Sequence, residues 1–321
     1  MDYATNLHQS DLLNQITAWL NKATGVTGSA KWLLIDASLL AQDAFVRLSK
    51  PYADTCLRNV FLKTRFEVYG LYAPHLFHIG QLDKQTQIAF IADLLKLSNG
   101  IPALAVLDAC EDANSLAQCL AWHAQCYTPD GLELYLRIGD TRITPGLLQV
   151  LDEDQKLKLG GNILQWQIVN RLGTLEALLP AIKPMPDDKS PFKHFRSIKT
   201  FNLTDAQFAT LMIKAEPDQL FQMLLENHAD LVPKKDLGLF HQRIDTQVGN
   251  AHKHGLTSTQ DLLVYTTIAL ITHDKFDTQP VLDETWLSIN EKGASFRKLV
   301  DAWPDNIWDE LAQTAAAQQR T

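Results

Sequence analysis

Residues 132–173 constrain the fold of this chain more than any other stretch. The stretch opens with apolar residues at every second position, a period typical of a strand: Leu132, Leu134, Leu136 and Ile138. Gly139 ends that strand. A helix is predicted next, because Thr144 can cap it and Pro145 can occupy its first turn without losing a hydrogen bond. A second apolar run, residues 163–166, predicts another strand. The stretch is therefore predicted to form a strand, a charged turn, a helix and a strand.

The charged turn carries two arginines around one aspartate, in the order Arg137, Asp140 and Arg142. A planar guanidinium can bond a carboxylate at two points, so Asp140 can pair with either arginine. Such pairing would stabilise the turn from within. Alternatively, one arginine stays available to bind an acidic group on a partner protein. Both interpretations remain open, and the three residues are predicted to be partner-binding residues.

Apolar runs alternate with helical patterns ahead of this turn. Buried strands are predicted at residues 31–36 and 103–107, and helices at three places: residues 10–23, 84–97 and 113–124. Strands separated by helices indicate an α/β (or α+β) lobe, with a mixed sheet that is at least partly parallel and is flanked by helices. We assign this N-terminal lobe to residues 1–179.

The pattern changes after this lobe. Residues 180–197 are rich in proline and are predicted to form a linker, because proline cannot continue a helix. Every later segment has helical periodicity, so residues 198–321 are predicted to form an all-helical lobe. Within it, Trp303 and Trp308 lie among acidic residues. Core packing is the default for such side chains, and the alternative is that both line a groove that binds a partner.

Three segments of the N-terminal lobe together resemble a known family. They are Trp32-Leu33-Leu34-Ile35-Asp36, Ala73-Pro74-His75-Leu76-Phe77 and the charged turn from Arg137 to Arg142. Their order is similar to that in the domain-of-unknown-function 4123 family, the effector adaptors (Tap-type chaperones) of bacterial type VI secretion systems. The family usually has proline where this chain has Thr141, which makes this turn less rigid. The resemblance covers roughly residues 31–172.

Composition restricts the partners that this chain can bind. The net charge is −8 and the isoelectric point is near 5.7. Nucleic acids and anionic membranes select for clusters of lysine and arginine, so neither is predicted as the main partner. The N-terminus lacks the basic and apolar regions of a signal peptide, and no apolar run is long enough to cross a bilayer. We therefore expect a cytoplasmic protein without stable membrane insertion.

Three aspartates form the strongest enzymatic signal in the sequence. Asp36, Asp108 and Asp140 follow predicted strands, and open α/β sheets place ligands at such ends. An aspartate there also commonly accepts hydrogen bonds from the amides of the next turn. Neither Asp36 nor Asp108 has the second carboxylate two residues later that metal-dependent phosphoryl transfer needs. A structural role is favoured, and an α/β metal-dependent hydrolase using the three aspartates remains the alternative.

Other candidate ligands have simpler interpretations. His252 and His254 are two residues apart on a predicted helix and so point in different directions, which argues against one shared metal ion. They are predicted to complete the end of that helix. The cysteines are predicted to be small buried thiols, although Cys119 and Cys126 are spaced to share a helical face. No catalytic residue, metal or cofactor is predicted.

The resemblance implies a function that these residue patterns do not themselves establish. It implies a non-enzymatic adaptor or chaperone that binds a secreted toxin effector in the cytoplasm and helps to load it onto the VgrG spike. Its implied partners are therefore the effector and the VgrG spike protein. It also implies that the N-terminal lobe carries the common recognition surface and the helical lobe the surface specific to the cargo.

Overall fold

The computed structural model describes residues 3–23, 26–160, 163–179 and 201–318. The chain divides into two compact units, Met1–Met212 and Ile213–Thr321. The predicted linker at residues 180–197 lies outside the described residues, so the lobe boundaries at 179 and 198 stay predictions. Sheet and helices are mixed in the first unit and the second is helical, which confirms the predicted fold class.

The first unit contains strands and helices in alternation, with several short 3₁₀ turns between them. In chain order, and among the described residues, they are α1 (Leu12–Asn21), β1 (Ser29–Asp36), α2 (Gln42–Ser49), β2 (Leu57–Asn59), β3 (Pro74–Phe77), α3 (Lys84–Leu97), β4 (Leu104–Cys110), α4 (Ala113–Ala124), β5 (Gln125–Tyr127), β6 (Glu133–Tyr135), α5 (Thr144–Val150), α6 (Glu153–Gly160), β7 (Ile163–Val169), β8 (Leu175–Leu179) and β9 (Phe201–Asn202).

Six of these strands form the main sheet, in the order β2-β3-β1-β4-β7-β8. All of its pairings are antiparallel. A second, three-stranded sheet has the order β6-β5-β9, and β5 pairs with β9 in parallel. The expected parallel pairing is therefore confined to the small sheet. Alternation of strands and helices did not reveal this, because antiparallel neighbours can also be joined through a helix.

Both faces of the main sheet are covered by a hydrophobic core. Successive side chains of a strand point to opposite faces, and β1 shows this clearly. Trp32 and Leu34 pack into one core with residues of α4, α5 and α6, whereas Leu33 and Ile35 pack into the other core with residues of α1, α2 and α3. The apolar run that predicted a buried strand thus contributes to two separate cores.

Helix positions were predicted more accurately than strand lengths. Helices α3 and α4 begin after Asp83 and Asp112, whose carboxylates accept hydrogen bonds from backbone amides of the first turn. By contrast, the predicted strand from Leu132 to Ile138 is reduced to β6. Thr144 is the first residue of α5, and its hydroxyl donates to the carbonyls of Ile138 and Asp140 instead of capping the helix.

An N-terminal strap, residues 3–9, is hydrogen-bonded to two loops of the first unit. The backbone amide of Asn6 donates to the Arg171 carbonyl at 2.7 Å, and the Thr5 hydroxyl donates to the Gly100 carbonyl at 2.5 Å. The strap therefore joins the loop before β4 to the turn between β7 and β8. These contacts span more than 90 residues of sequence, and no local pattern predicts them.

The second unit is helical in its described part. Helix α7 (Asp205–Asn227) crosses the boundary between the units and is followed by α8 (Leu237–Lys253), α9 (Thr259–Ile271), α10 (Asp283–Lys292), α11 (Phe296–Asp301) and α12 (Asp305–Gln318). The sequence predicts two helices here, at residues 205–214 and 217–229, because a proline commonly begins a helix, whereas α7 continues through Pro217. Helix α10 was not predicted from the sequence.

Candidate functional site

Asp140 is the centre of the charged turn, and its side chain has no solvent exposure. The Arg142 guanidinium bonds it at two points: Nε donates to Oδ1 at 2.9 Å and Nη2 donates to Oδ2 at 2.6 Å. The Arg142 backbone amide also donates to Oδ1, at 3.1 Å. Two-point pairing of this kind is among the stronger ion pairs in proteins. The turn is therefore stabilised from within by the pairing that its sequence allowed.

Arg137 connects this turn to the end of β1. Its Nη2 donates to Oδ2 of Asp36 at 3.3 Å and to the Ser38 hydroxyl oxygen at 2.8 Å. Its Nη1 lies 3.9 Å from Oδ2 of Asp140. Asp36 in turn accepts from the Ser38 amide at 3.1 Å and from the Ser38 hydroxyl at 2.6 Å. The structural interpretation of Asp36, as an acceptor for the next turn, is the one that the geometry supports.

Asp36 is only 1% exposed, so its carboxyl group is largely removed from water. Burial raises the pKa of Asp36, and the neighbouring Asp140 charge raises it further. The hydrogen bond from Ser38 and the charge of Arg137 oppose this increase in pKa. Asp36, Arg137, Asp140 and Arg142 thus form one network, which we call the Asp–Arg network.

Two small features complete the Asp–Arg network. A Cβ atom on Gly139 would lie 3.0 Å from the Cβ of Asp36, which is tighter than most Cβ contacts, so glycine favours this close approach of the turn to β1. On the other side, the Arg142 guanidinium lies 5.2 Å from the centre of the Tyr3 ring in the N-terminal strap. Tyr3 and Ser38 are therefore parts of the site that sequence reasoning missed, because neither belongs to a motif.

Asp108 lies away from this network. Strand β4 extends to Cys110, so Asp108 is inside the strand and does not follow it. Its Oδ2 accepts from Nζ of Lys31 at 2.9 Å. Burial raises the pKa of Asp108, and Lys31 opposes that increase. In the antiparallel register Asp108 pairs with Lys31 of β1, five residues before Asp36.

This register contradicts the three-aspartate metal site. Five strand residues separate Asp36 from the position opposite Asp108, a distance of about 16 Å at roughly 3.3 Å per residue. In a parallel sheet the two would have ended at the same edge. Across the part of the chain that the structure describes, no group of three or more His, Cys, Asp or Glu residues could hold a metal ion. The structure therefore does not bring Asp108 together with Asp36 and Asp140, as the hydrolase alternative required.

The two histidines of α8 have separate partners, as their spacing predicted. Nε2 of His252 lies 2.6 Å from Oε2 of Glu216, whereas Nε2 of His254 lies 2.9 Å from Oδ2 of Asp277. The His254 ring also stacks on Trp286 with a centroid distance of 4.0 Å. Both histidines lie at the C-terminal end of α8, where the prediction placed them.

All four cysteines are buried thiols, which confirms that interpretation. Burial raises the pKa of the Cys110 and Cys119 thiols to about 12 and that of Cys126 to about 11. Thiols with such pKa values carry almost no thiolate at neutral pH. Cys126 lies in β5, beyond the end of α4, so it does not share a helical face with Cys119.

The two C-terminal tryptophans pack against each other and against the core of the second unit. Their ring centroids are 5.2 Å apart, and Nε1 of Trp303 donates to the Thr285 hydroxyl oxygen at 3.1 Å. The Trp303 ring also meets Phe296 edge to face at 5.8 Å. Both tryptophans are half-buried. Their predicted role in a partner groove stays a prediction.

His75, in the second of the three resembling segments, gives the first unit a measurable pH dependence. Burial lowers the pKa of His75 from 6.5 to about 4, although Nδ1 bonds the Ala73 carbonyl at 2.8 Å. The folded pKa lies below the unfolded one, so the unfolded chain binds the proton first. Stability should therefore be lost as pH falls from 6.5 towards 4, by about 3 kcal/mol in total.

Replacing His75 with asparagine tests this pH dependence. The asparagine side-chain amide keeps a donor for the Ala73 carbonyl but does not titrate. We expect denaturant titrations at about pH 7, 6 and 5 to show a shallower loss of unfolding free energy for His75→Asn than for the wild type. The difference should reach about 2 kcal/mol between the highest and lowest of these pH values. Parallel slopes for the two proteins would contradict the assignment.

A further surface escaped sequence reasoning altogether. Residues 60–72 showed no clear periodicity, and the structure places a kinked 3₁₀ segment, Arg65–Tyr72, within them. Five of the large exposed apolar side chains of the described chain lie between positions 62 and 72: Leu62, Val68, Tyr69, Leu71 and Tyr72. Val60 and Phe61 of the same stretch are buried, so the sequence offered no local signal that separates its exposed apolar residues from its buried ones.

The first unit is an antiparallel scaffold whose charged turn is stabilised by internal ion pairs, and it is joined to a helical unit. Residues 31–157 match the model of a family described as a domain of unknown function, DUF4123. The match runs from β1 into α6 and includes the whole Asp–Arg network. No curated protein and no solved structure matches this chain. None of the described helices combines the length and apolarity needed to cross a membrane.

Proposed function

We propose that this chain is an adaptor that binds a type VI secretion effector in the cytoplasm and helps to load it onto the VgrG spike, without catalysing a reaction. The observation that carries this proposal is the DUF4123 match over residues 31–157, since the family is associated with effector adaptors. The match includes all three segments that resemble the adaptors, the charged turn among them.

The electrostatics of the first unit support a binding role. Asp36, Asp140 and Asp108 pair with arginine or lysine at distances that stabilise the fold. Such pairs also perturb pKa values without any catalytic role. An adaptor needs no reacting group, only surfaces that are large enough to hold its cargo and the spike. The exposed apolar residues between positions 62 and 72 provide one such surface.

Coexpression tests the proposal directly. The full chain would be coexpressed with the toxin encoded in the same type VI gene cluster and, separately, with the VgrG protein of that cluster. We expect each pair to elute as a stable complex, with a toxin from another cluster as the control. Deleting the gene should abolish secretion of the toxin while VgrG itself is still secreted.

Two results would contradict the adaptor. One is normal secretion of every toxin of the cluster after deletion of the gene. The other is thermal stabilisation of the chain by magnesium, manganese or zinc that disappears in an Asp36→Asn variant, which would favour an enzyme. Because stabilisation by a bound ion depends only on the free chain, this measurement needs no partner protein.

A further inference from the structure

The first unit contains a cavity of about 310 Å³ that is separate from the Asp–Arg network. It is lined by Trp32 of β1, Arg58 of β2 and His78, which follows β3. Glu111, before α4, and residues 53–55, before β2, complete the lining. Its volume is at the lower end of the range for small-molecule sites, roughly 300–1,000 Å³.

The strand register explains why Arg58 and His78 line the same cavity. Arg58 lies opposite Leu76 of β3, and Leu76 lies opposite Leu34 of β1. Trp32 precedes Leu34 by two residues and is therefore on the same face of the sheet. His78 follows Leu76 by two residues, and its ring stacks on Trp32 with centroids 4.2 Å apart. Both polar side chains are therefore on the face of the sheet that α4 covers.

These two side chains lack hydrogen-bonding partners. His78 is only 9% exposed, and its ring nitrogens form no hydrogen bond within the part of the chain that the structure describes. Nε of Arg58 is buried and has no acceptor there either. A buried donor without an acceptor gives up its hydrogen bond to water without compensation. A ligand carboxylate would supply the acceptor, because a guanidinium can bond a carboxylate at two points.

Carboxylates of the protein line the same cavity. Asp54 and Glu111 are exposed, and neither pairs with Arg58 or with another cation among the described residues. Burial lowers the pKa of His78, and the charge of Glu111 opposes this decrease. The next residue, Asp112, is a further anion, so the surrounding charge stays negative. Opposite charges that share a cavity without contact complement a ligand that carries both signs, whereas a phosphate group would be repelled.

From these observations we propose that the cavity binds a free α-amino acid. The α-carboxylate would bond Arg58 and the α-ammonium group would face Glu111. A neutral imidazole has one donor and one acceptor, so His78 can bond either group. The excess of carboxylates favours a neutral or basic ligand side chain over an acidic one. This inference goes beyond the adaptor function and does not depend on it, because the binding needs only the first unit.

Calorimetric titration of the full chain at neutral pH tests the proposal. Alanine and lysine are the probes, and both should bind more tightly than glutamate. Alaninamide lacks the carboxylate and N-acetylalanine lacks the ammonium group. Because each loses a charged hydrogen-bonding group, we expect each to bind about tenfold more weakly than alanine, or weaker still.

Substitutions then assign the binding to this cavity. Arg58 is partly exposed on an edge strand, so Arg58→Gln should retain the fold and weaken alanine binding by about tenfold or more. Glu111→Gln should also weaken it and should reduce the advantage of lysine over glutamate. Arg47→Gln is the matched control, because Arg47 is an exposed arginine of α2 outside the cavity, and it should leave binding unchanged.

Several outcomes would overturn the amino-acid site. One is the absence of saturable binding of alanine and lysine below about 10 mM. Another is unchanged alanine binding by both Arg58→Gln and Glu111→Gln. Tighter binding of glycylalanine than of alanine would assign the cavity to a peptide, and displacement of alanine by inorganic phosphate would contradict the charge argument. Each measurement uses the free chain, so failure here leaves the adaptor function unaffected and failure to bind a toxin leaves this site unaffected.

Discussion

An Asp140→Ala variant is expected to lose about 3 kcal/mol of unfolding free energy, because breaking a buried ion pair leaves its partners without compensation. The Asp140 carboxylate is fully buried and accepts three hydrogen bonds from Arg142. Arg137 would also lose its nearby anion. Both arginines keep some exposure, 32% and 21%, which holds the expected loss at the lower end of the range for buried pairs. Denaturant titration of both proteins at neutral pH measures this loss of unfolding free energy.

A matched control distinguishes this effect from the loss of any ion pair. Asp93 pairs with Lys96 at 2.9 Å on the exposed face of α3. Exposed pairs at this spacing contribute little, so Asp93→Ala should change stability by less than about 1 kcal/mol. Equal effects of the two substitutions would show that burial of Asp140 is not what stabilises the turn.

A Gly173→Ala variant should lose a similar amount of stability, about 3 kcal/mol, for a steric reason. Gly173 has φ +74° in the turn between β7 and β8, and its amide donates to the Asn170 carbonyl. An alanine Cβ would overlap the Leu7 carbonyl oxygen and lie 2.9 Å from the Cα of His8. The N-terminal strap would have to move, and limited proteolysis should then cleave it faster than in the wild type.

Gly131→Ala is the control for backbone strain alone. Gly131 has φ +82°, and nothing lies within 4 Å of a Cβ placed there. The variant should therefore lose only about 1 kcal/mol and keep the strap protected. If Gly131→Ala and Gly173→Ala were equally destabilised, contact with the strap would have no role.

The helices were largely predictable because their signals are local. Residues 84–97 and 113–124 were assigned correctly to α3 and α4, where an aspartate caps the first turn and apolar residues recur at helical period. Pro217 marked a boundary that the structure does not have, since α7 continues through it. Pro217 itself is buried, as are Leu220 and Phe221 in the next turn, and tertiary packing of this kind overrides local preferences.

The sequence of the charged turn predicted that its residues could form ion pairs, but not which pairs form. Its residue types allowed either an internal pair or an arginine available to a partner. The structure gives Arg142 two bonds to Asp140 and gives Arg137 an acceptor 101 residues earlier, at Asp36. Spacing within the turn could not select this result, because the acceptor on β1 is supplied by folding.

Local periodicity and composition by themselves determined a sheet-and-helix lobe followed by helices, the capped helices α3 and α4, buried thiols and an acidic chain. Only the tertiary structure decided that the main sheet is antiparallel, which separates Asp36 from Asp108, and that the Arg65–Tyr72 segment is exposed. The physical reason is that helix periods and caps depend on residues three or four positions apart. Strand direction, ion pairs and surface exposure depend on contacts between residues that are distant in sequence.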